Sequence, residues 1–201
     1  MEKVLIFIKH HFSFLWRLIE WGNGLLFSLL YKPAMEKILP SVFRELESSS
    51  YTYRQLDAAD VNDLSDLIHS QEDSDLTYFS PHAFDLSALG KQFHNRAFLM
   101  MGAFDREQLA GYFFLRFFAN KTCFVGRLID KPYRGKGIGN EMNHIMYQTA
   151  WRMGFRCLST ISRNNQAVIR AHAKNLNMVV LKELQNDYLL VEFAEGGQNS
   201  D

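Results

Sequence analysis

The chain reads as a mixed α/β protein built on one sheet, with an apolar helical extension at its N-terminus. Three observations predict this: strand-like and helical runs alternate after residue 50, three glycines crowd one strand-to-helix turn at Gly135, Gly137 and Gly139, and the composition changes near residue 45. The 201 residues leave room for one full domain and an extra segment. With 17 Phe, 8 Tyr and 3 Trp, the core needs no help from metals or disulfides.

Residues 1–46 read as the extension, 47–194 as the main domain and 195–201 as a loose polar tail. The extension has apolar runs at Val4 to Ile8, Phe12 to Trp16 and Leu25 to Tyr31. Its longest uncharged run after Glu20 goes from Trp21 to Tyr31, short of the ~20 residues that cross a bilayer. The Val4 to Ile8 run is too short for a secretory signal, and no small-residue cleavage site follows it. The expected location is cytoplasmic, with the inner face of the membrane left open.

Trp21-Gly22-Asn23-Gly24 reads as a break between two helices, and Lys32-Pro33 and Leu39-Pro40 punctuate the second. In residues 1–44, Lys3, Lys9, Arg17, Lys32, Lys37 and Arg44 against Glu2, Glu20 and Glu36 give roughly +3 by counting. Basic residues beside aromatic and leucine-rich faces suit a helix lying in a membrane interface. The same faces suit packing on the main domain or on a second copy in a homo-oligomer, and both readings stay open. Glu45 to Ser50 reads as a linker.

Tyr51 to Leu56 alternates as a strand does, and Asp57 opens a helix that carries Val61, Leu64, Leu67 and Ile68 on one face. Asp57 and Asp60 make a weaker start signal than a Ser/Thr-to-Glu capping box. A short helix is expected between Pro81 and Asn95. Ala97 to Phe104 and Leu109 to Phe118 form a hairpin about Asp105-Arg106-Glu107, and Thr122 to Asp130 is a third strand after Asn120-Lys121. From Ile138, helical spacing runs through Met142, Ile145, Met146, Ala150 and Met153 to a cap at Gly154. Phe155 to Ile161 is a strand and Asn165 to Asn175 a helix. Met178 to Leu184 and Tyr188 to Phe193 close the domain as a hairpin.

Lys plus Arg equals Asp plus Glu at 22 each, so no overall positive field draws the chain to nucleic acid. Cys123 and Cys157, the only cysteines, lie in strand-like runs and read as buried, inert thiols. The seven histidines show no metal-ligand spacing, and no metal is expected.

The chemistry lies in LIDKPYRGKGIG, from Leu128 to Gly139. Glycines without Cβ atoms let backbone N–H groups approach an anion, the helix behind directs roughly +0.5 of a charge at the same spot, and Arg134 and Lys136 add whole charges. The expected ligand is a diphosphate. A P-loop is excluded because no Lys-Ser or Lys-Thr follows the last glycine. A dinucleotide fingerprint fails at Asn140, where a glycine is needed, and at Phe155-Arg156-Cys157, where an acid is needed.

The turn resembles the acyl-CoA signature Q/R-x-x-G-x-G/A of the GNAT superfamily of N-acetyltransferases, with Arg134, Gly137 and Gly139 filling it. The inferred order of elements over residues 51–193 matches that fold as well. The resemblance implies acetyl-CoA as co-substrate and a small-molecule amine as acceptor. It also implies that the strand through Leu128, Ile129 and Asp130 holds the pantetheine arm and offers a backbone N–H to the thioester oxygen. The diphosphate would rest on Arg134, Gly135, Lys136, Gly137, Ile138, Gly139 and Asn140. Either Asn164 or Asn165 resembles the family's asparagine against the cofactor arm, and both also suit a turn or a helix cap.

Attack on a thioester needs a neutral amine, and an amine near pKa ~8 is far closer to that state at neutral pH than a lysine near ~10.4. The family's usual tyrosine acid is missing from Ala171-His172-Ala173-Lys174-Asn175, which leaves His172 as a candidate there. Tyr78 and His82 are further proton-transfer candidates, in the QEDSDLTYFSPHAFD segment where the family shapes its acceptor pocket. Glu72, Asp73 and Asp75 in that segment suit a cationic amine. Its YFSPHAFD portion resembles relatives that act on amino sugars of cell-surface polysaccharides. Three other readings remain beside that one: a catalytically silent acyl-CoA-binding scaffold, a protein or peptide amine as acceptor, and a longer acyl group.

Overall fold

The computed structural model describes residues 13–165, 168–169 and 178–196, with side chains from residue 18 onward. Two helices, α1 (Ser13–Leu30) and α2 (Lys32–Arg44), precede strand β1 (Thr52–Gln55). Helices α3 (Val61–His69), α4 (Asp73–Leu76) and α5 (Leu86–Gln92) lead to strands β2 (Phe98–Asp105), β3 (Gln108–Phe118) and β4 (Thr122–Ile129). The long helix α6 (Ile138–Arg152), β5 (Arg156–Ser162), β6 (Met178–Glu183) and β7 (Tyr188–Phe193) complete the described elements. The helix expected over Asn165 to Asn175 lies mostly outside the described residues.

The seven strands form one sheet in the order β1-β2-β3-β4-β5-β7-β6. Every pairing is antiparallel except that of β4 with β5. The two faces carry separate cores. On one, Leu64, Leu67 and Ile68 of α3 and Leu89 of α5 meet Phe98, Met100, Tyr112 and Leu128. On the other, Ile138, Met142, Ile145 and Met146 of α6 meet Leu99, Met101, Phe113, Leu115 and Val125.

The extension is part of that second core. Phe27 of α1 is 3% exposed and stacks on Phe117 at 4.8 Å, and Met35, Leu39 and Val42 of α2 are buried with it. Burying a side chain the size of Phe27 contributes roughly 1.5–3 kcal/mol. The expected break at Trp21–Gly24 is absent, and α1 runs through both glycines to Leu30. Tertiary contacts outweigh the glycine cost of ~1 kcal/mol each. The Asn23 amide donates to the Phe117 carbonyl at 2.8 Å and accepts from the Ala119 N–H at 2.9 Å. Gly24 packs against Arg96, whose Cβ would lie 3.7 Å from an added Cβ, an ordinary contact. The turn comes instead at Tyr31, with Pro33 in the first turn of α2, where its missing N–H costs no hydrogen bond.

Glu45 to Ser50 is tied down at both ends. Glu45 pairs with His144 at 2.8 Å and with Arg152 at 2.7 Å, and Ser49 Oγ donates to Glu141 at 2.5 Å. The start after β1 is stronger than its spelling: Asp57 accepts from the Ala59 N–H and Asp60 from the Asp57 N–H, a reciprocal cap. Asp60 also takes two hydrogen bonds from Arg54, which lowers its pKa.

Candidate active site

β4 and β5 pair only from Thr122 to Phe124 against Arg156 to Leu158. Beyond that point the two strands part, with Ser159 Oγ closing the vertex by a 3.0 Å bond to the Val125 carbonyl. The split opens a cavity of about 630 Å³ between β4, β5, α4 and α6. Backbone groups on one edge of a strand alternate. Val125 turns its carbonyl to the cavity side, as does Ile129, whose oxygen accepts from Arg134 Nε at 2.9 Å. Arg127, midway between them, therefore directs its backbone N–H and C=O into the split, with no strand partner there among the described residues. Backbone groups in such a place require a hydrogen-bonding ligand or water.

The glycine turn stands at one end of this split. Gly135 has φ 76° and Gly137 φ 90°, left-handed values that L side chains adopt at a cost, and Gly137 is the N-cap residue of α6. Gly139 serves differently. A Cβ there would stand 3.0 Å from Ile129 Cδ1 and 3.3 Å from Arg127 Nε, so its small size lets the first turn of α6 sit down on β4. Asp130 caps the short 3-10 turn Lys131–Tyr133 through the Lys131 N–H and also accepts from Gln71 Nε2 at 3.0 Å. Lys136 lies 5.5 Å over the Tyr133 ring, and Asn140 is exposed, with its N–H bonded to the Gly137 carbonyl.

Of the residues singled out from sequence, Leu128, Ile129, Arg134, Gly135, Asn164, Asn165 and Tyr78 line the cavity together. The Asn165 side chain also accepts from the Val168 N–H at 3.1 Å, as a helix cap does. His172 lies outside the described residues. His82 stands apart from the cavity lining: its Nε2 meets the buried Tyr112 hydroxyl at 2.8 Å, and its ring packs against Phe84 and Phe98. Two carboxylates of the acceptor segment are already engaged, Glu72 with Lys131 at 2.5 Å and Asp75 with Arg134 at 2.9 Å. Arg134 also donates to Gln71, so its charge is shared with α4 and is not wholly free for a diphosphate.

Among the lining residues that escaped the sequence reading are Arg127, Asn143 and Tyr147. Arg127 lies on the α6 side of β4, is partly buried and donates to Asn143. No carboxylate among the described residues pairs with it, and burial lowers its pKa. Burial holds the Tyr147 hydroxyl well above the usual phenol range, so it keeps its proton and can donate. Gly139, Asn143 and Tyr147 recur at every fourth position of α6, a spacing that marks one helix face.

Burial also lowers the pKa of His82. The folded state therefore binds that proton more weakly than the unfolded chain does. The resulting stability is complete above the unfolded value of about 6.5 and is lost as pH falls through the lower folded value. Thermal denaturation at about pH 5.5 and about pH 7.5 is expected to show a deficit at the lower pH that is smaller in His82→Gln. An equal deficit in the variant would place the titrating group elsewhere.

A split parallel pair, a left-handed glycine turn capping a helix and a cavity between them are what the resemblance implies for an acyl-CoA-binding transferase. The profile of the acetyltransferase (GNAT) family matches residues 59–178, and the chain belongs to that family, whose members move an acetyl group from acetyl-CoA to an amine. No curated protein matches by sequence. The PaiA N-acetyltransferase of Thermoplasma acidophilum, solved in complex with coenzyme A, superposes with a TM-score of 0.62 at 17% identity, over 72% of this chain and 99% of that one. The GNAT domain of S. lividans PAT gives 0.61 at 15%, over 70% and 88%. An acetyltransferase of Salmonella typhimurium that modifies the N-terminal serine of ribosomal protein L7/L12 gives 0.57 at 19%, over 72% and 92%. At these identities the likeness shows the fold.

Proposed function

We propose that the chain acetylates a small amine, with an amino sugar of cell-surface polysaccharide synthesis, linked to a nucleotide or a lipid, as acceptor. The observation that carries the reading is the split beyond Phe124 and Leu158, which leads from the glycine turn into the cavity. Residues 47–194 are the acetyltransferase domain, and residues 1–46 an extension whose helices α1 and α2 lend Phe27, Met35, Leu39 and Val42 to its core. Gly135, Lys136, Gly137, Ile138, Gly139 and Asn140 hold the diphosphate, and Arg134 joins them as it releases Asp75. Leu128, Ile129 and Asp130 run beside the pantetheine arm, with Asn164 or Asn165 opposite. The bound thioester supplies the acetyl group. The N–H of Arg127, at the free edge of β4, is placed to donate to its carbonyl oxygen as negative charge develops.

For the acceptor, Tyr78 and Phe79 set aromatic surface beside the polar side chains of Ser159, Thr160 and Ser162 in the same cavity, a combination that suits a sugar. Tyr78 is the proton-transfer candidate that reaches the cavity. His82 orders the segment through Tyr112, and His172 stays a candidate from the sequence. A protein amine is the second reading, favoured by the fold shared with the Salmonella enzyme. The free, buried thiols of Cys123 and Cys157 suit a reducing, cytoplasmic compartment. No helix among the described residues is long and apolar enough to cross a membrane, and none of their His, Cys, Asp and Glu side chains cluster as a metal site. Contacts with a membrane face or a second copy are assigned to residues 1–46.

Thiol release from acetyl-CoA over a panel of nucleotide-linked amino sugars, peptides with free N-termini and lysine peptides tests the acceptor. Turnover is expected with an amino sugar. Acetylation of a peptide with every sugar left untouched would remove the sugar reading and keep the enzyme. Coenzyme A binding without any turnover would favour the silent scaffold.

A further inference from the structure

Helix α1 carries a second apolar face besides the one that buries Phe27. Its polar residues turn inward: Glu20 pairs with Arg116 at 2.7 Å, and Asn23 is bonded to Phe117 and Ala119. Phe27 is taken into the core, while Trp21, Leu29 and Leu30 are 65%, 68% and 62% exposed and Leu18, Ile19 and Leu26 are also open. From Leu18 to Leu30 no charged side chain lies on that outer arc. A contiguous apolar face of this kind marks an interaction surface.

Beside it, Trp21 and Leu25 share a groove of about 470 Å³ with Lys91, His94 and Arg96 of the α5 region and with Glu20, whose carboxylate is taken up by Arg116. Neither Lys91 nor Arg96 has an ion-pair partner among the described residues. We infer that this face docks on an anionic lipid surface, with α1 lying in the plane of the interface. Trp21 suits the headgroup level, the leucines reach the acyl boundary, and each flanking cation is drawn to the anionic lipid. A second copy on the same face would bring two basic rims together, whereas acidic headgroups satisfy both the leucines and the cations.

The register fixes what this docking leaves free. Asn23 holds α1 to Phe117 and Ala119, at the end of β3 that pairs with the start of β4. The glycine turn follows the other end of β4, where Ile129 pairs with Gly111. The split and its cofactor turn thus open at the end of these strands away from the docked helix. The inference rests on assigning outside contacts to residues 1–46 and not on acetyl transfer, so vesicle binding and coenzyme A binding fail separately.

The test is flotation of the full chain with phosphatidylcholine vesicles, with and without phosphatidylglycerol, alongside coenzyme A calorimetry as a check on folding. Flotation is expected with the anionic vesicles only, falling about tenfold or more in Leu29→Glu/Leu30→Glu and in Lys91→Glu/Arg96→Glu while calorimetry holds. Absence of flotation by the parent chain overturns the inference. So does flotation that ignores vesicle charge and the Lys91→Glu/Arg96→Glu change. A dimer in solution that Leu29→Glu/Leu30→Glu converts to monomer also overturns it, by showing that a second copy covers the face.

Discussion

Replacing Gly137 by Val is expected to weaken coenzyme A binding by about 100-fold while leaving the protein folded. At φ 90° this residue caps α6, and an L side chain there carries about 1–2 kcal/mol of strain, more when branched at Cβ. An added Cβ meets nothing within 4 Å, so no packing is lost in the core. The strain is relieved by turning the peptide units that open the helix, and those units carry the N–H groups assigned to the diphosphate. Calorimetry with coenzyme A, read beside the thermal midpoint, separates the two effects. Binding within a few-fold of the parent value, in a folded variant, would mean that the turn does not hold the diphosphate.

That prediction uses a position whose importance is visible in the spelling of the chain, and the same is true of most of the sheet. The β2–β3 hairpin turns at Arg106 with φ 56° and the β6–β7 hairpin at Asn186 and Asp187 with φ 57° and 58°, where polar turn residues had marked both. Short-range signals of this kind report local backbone needs and survive folding unchanged. Gly22 and Gly24 gave an equally local signal that failed. Asn23 reaches Phe117 and Ala119 across more than 90 residues of sequence, and no window around Gly22 contains that partner. The Asp75–Arg134 pair was hidden for the same reason, since it joins two motifs that each read as complete. Arg127 was legible in part: along β4 it shares a side with Cys123, Val125 and Ile129, and a lone cation among apolar residues asks for an anionic partner.

The fate of that cation supplies the second large effect. Arg127→Glu is expected to weaken coenzyme A binding by about 100-fold or more, and Arg127→Met by about tenfold, because a charge-assisted hydrogen bond contributes about 1.5–3 kcal/mol and a like-charge contact costs several. The guanidinium has five donors, and Asn143 is its one hydrogen-bond partner among the described residues. It lines the split beneath the first turn of α6, where Gly139 makes way for it. Burial without a carboxylate makes its charge expensive, as the lowered pKa registers, yet an arginine keeps its proton. An anionic ligand in the split would relieve that cost. Two readings of a weakened variant are separable. If Arg127 acts on the phosphates, Arg127→Met loses affinity for coenzyme A and keeps its weak affinity for pantetheine, and Arg127→Lys recovers part of the loss. If it only supports packing, both ligands weaken together and the thermal midpoint falls with them. Unaltered coenzyme A affinity in Arg127→Glu would show that the ligand's charge lies out of reach of this strand.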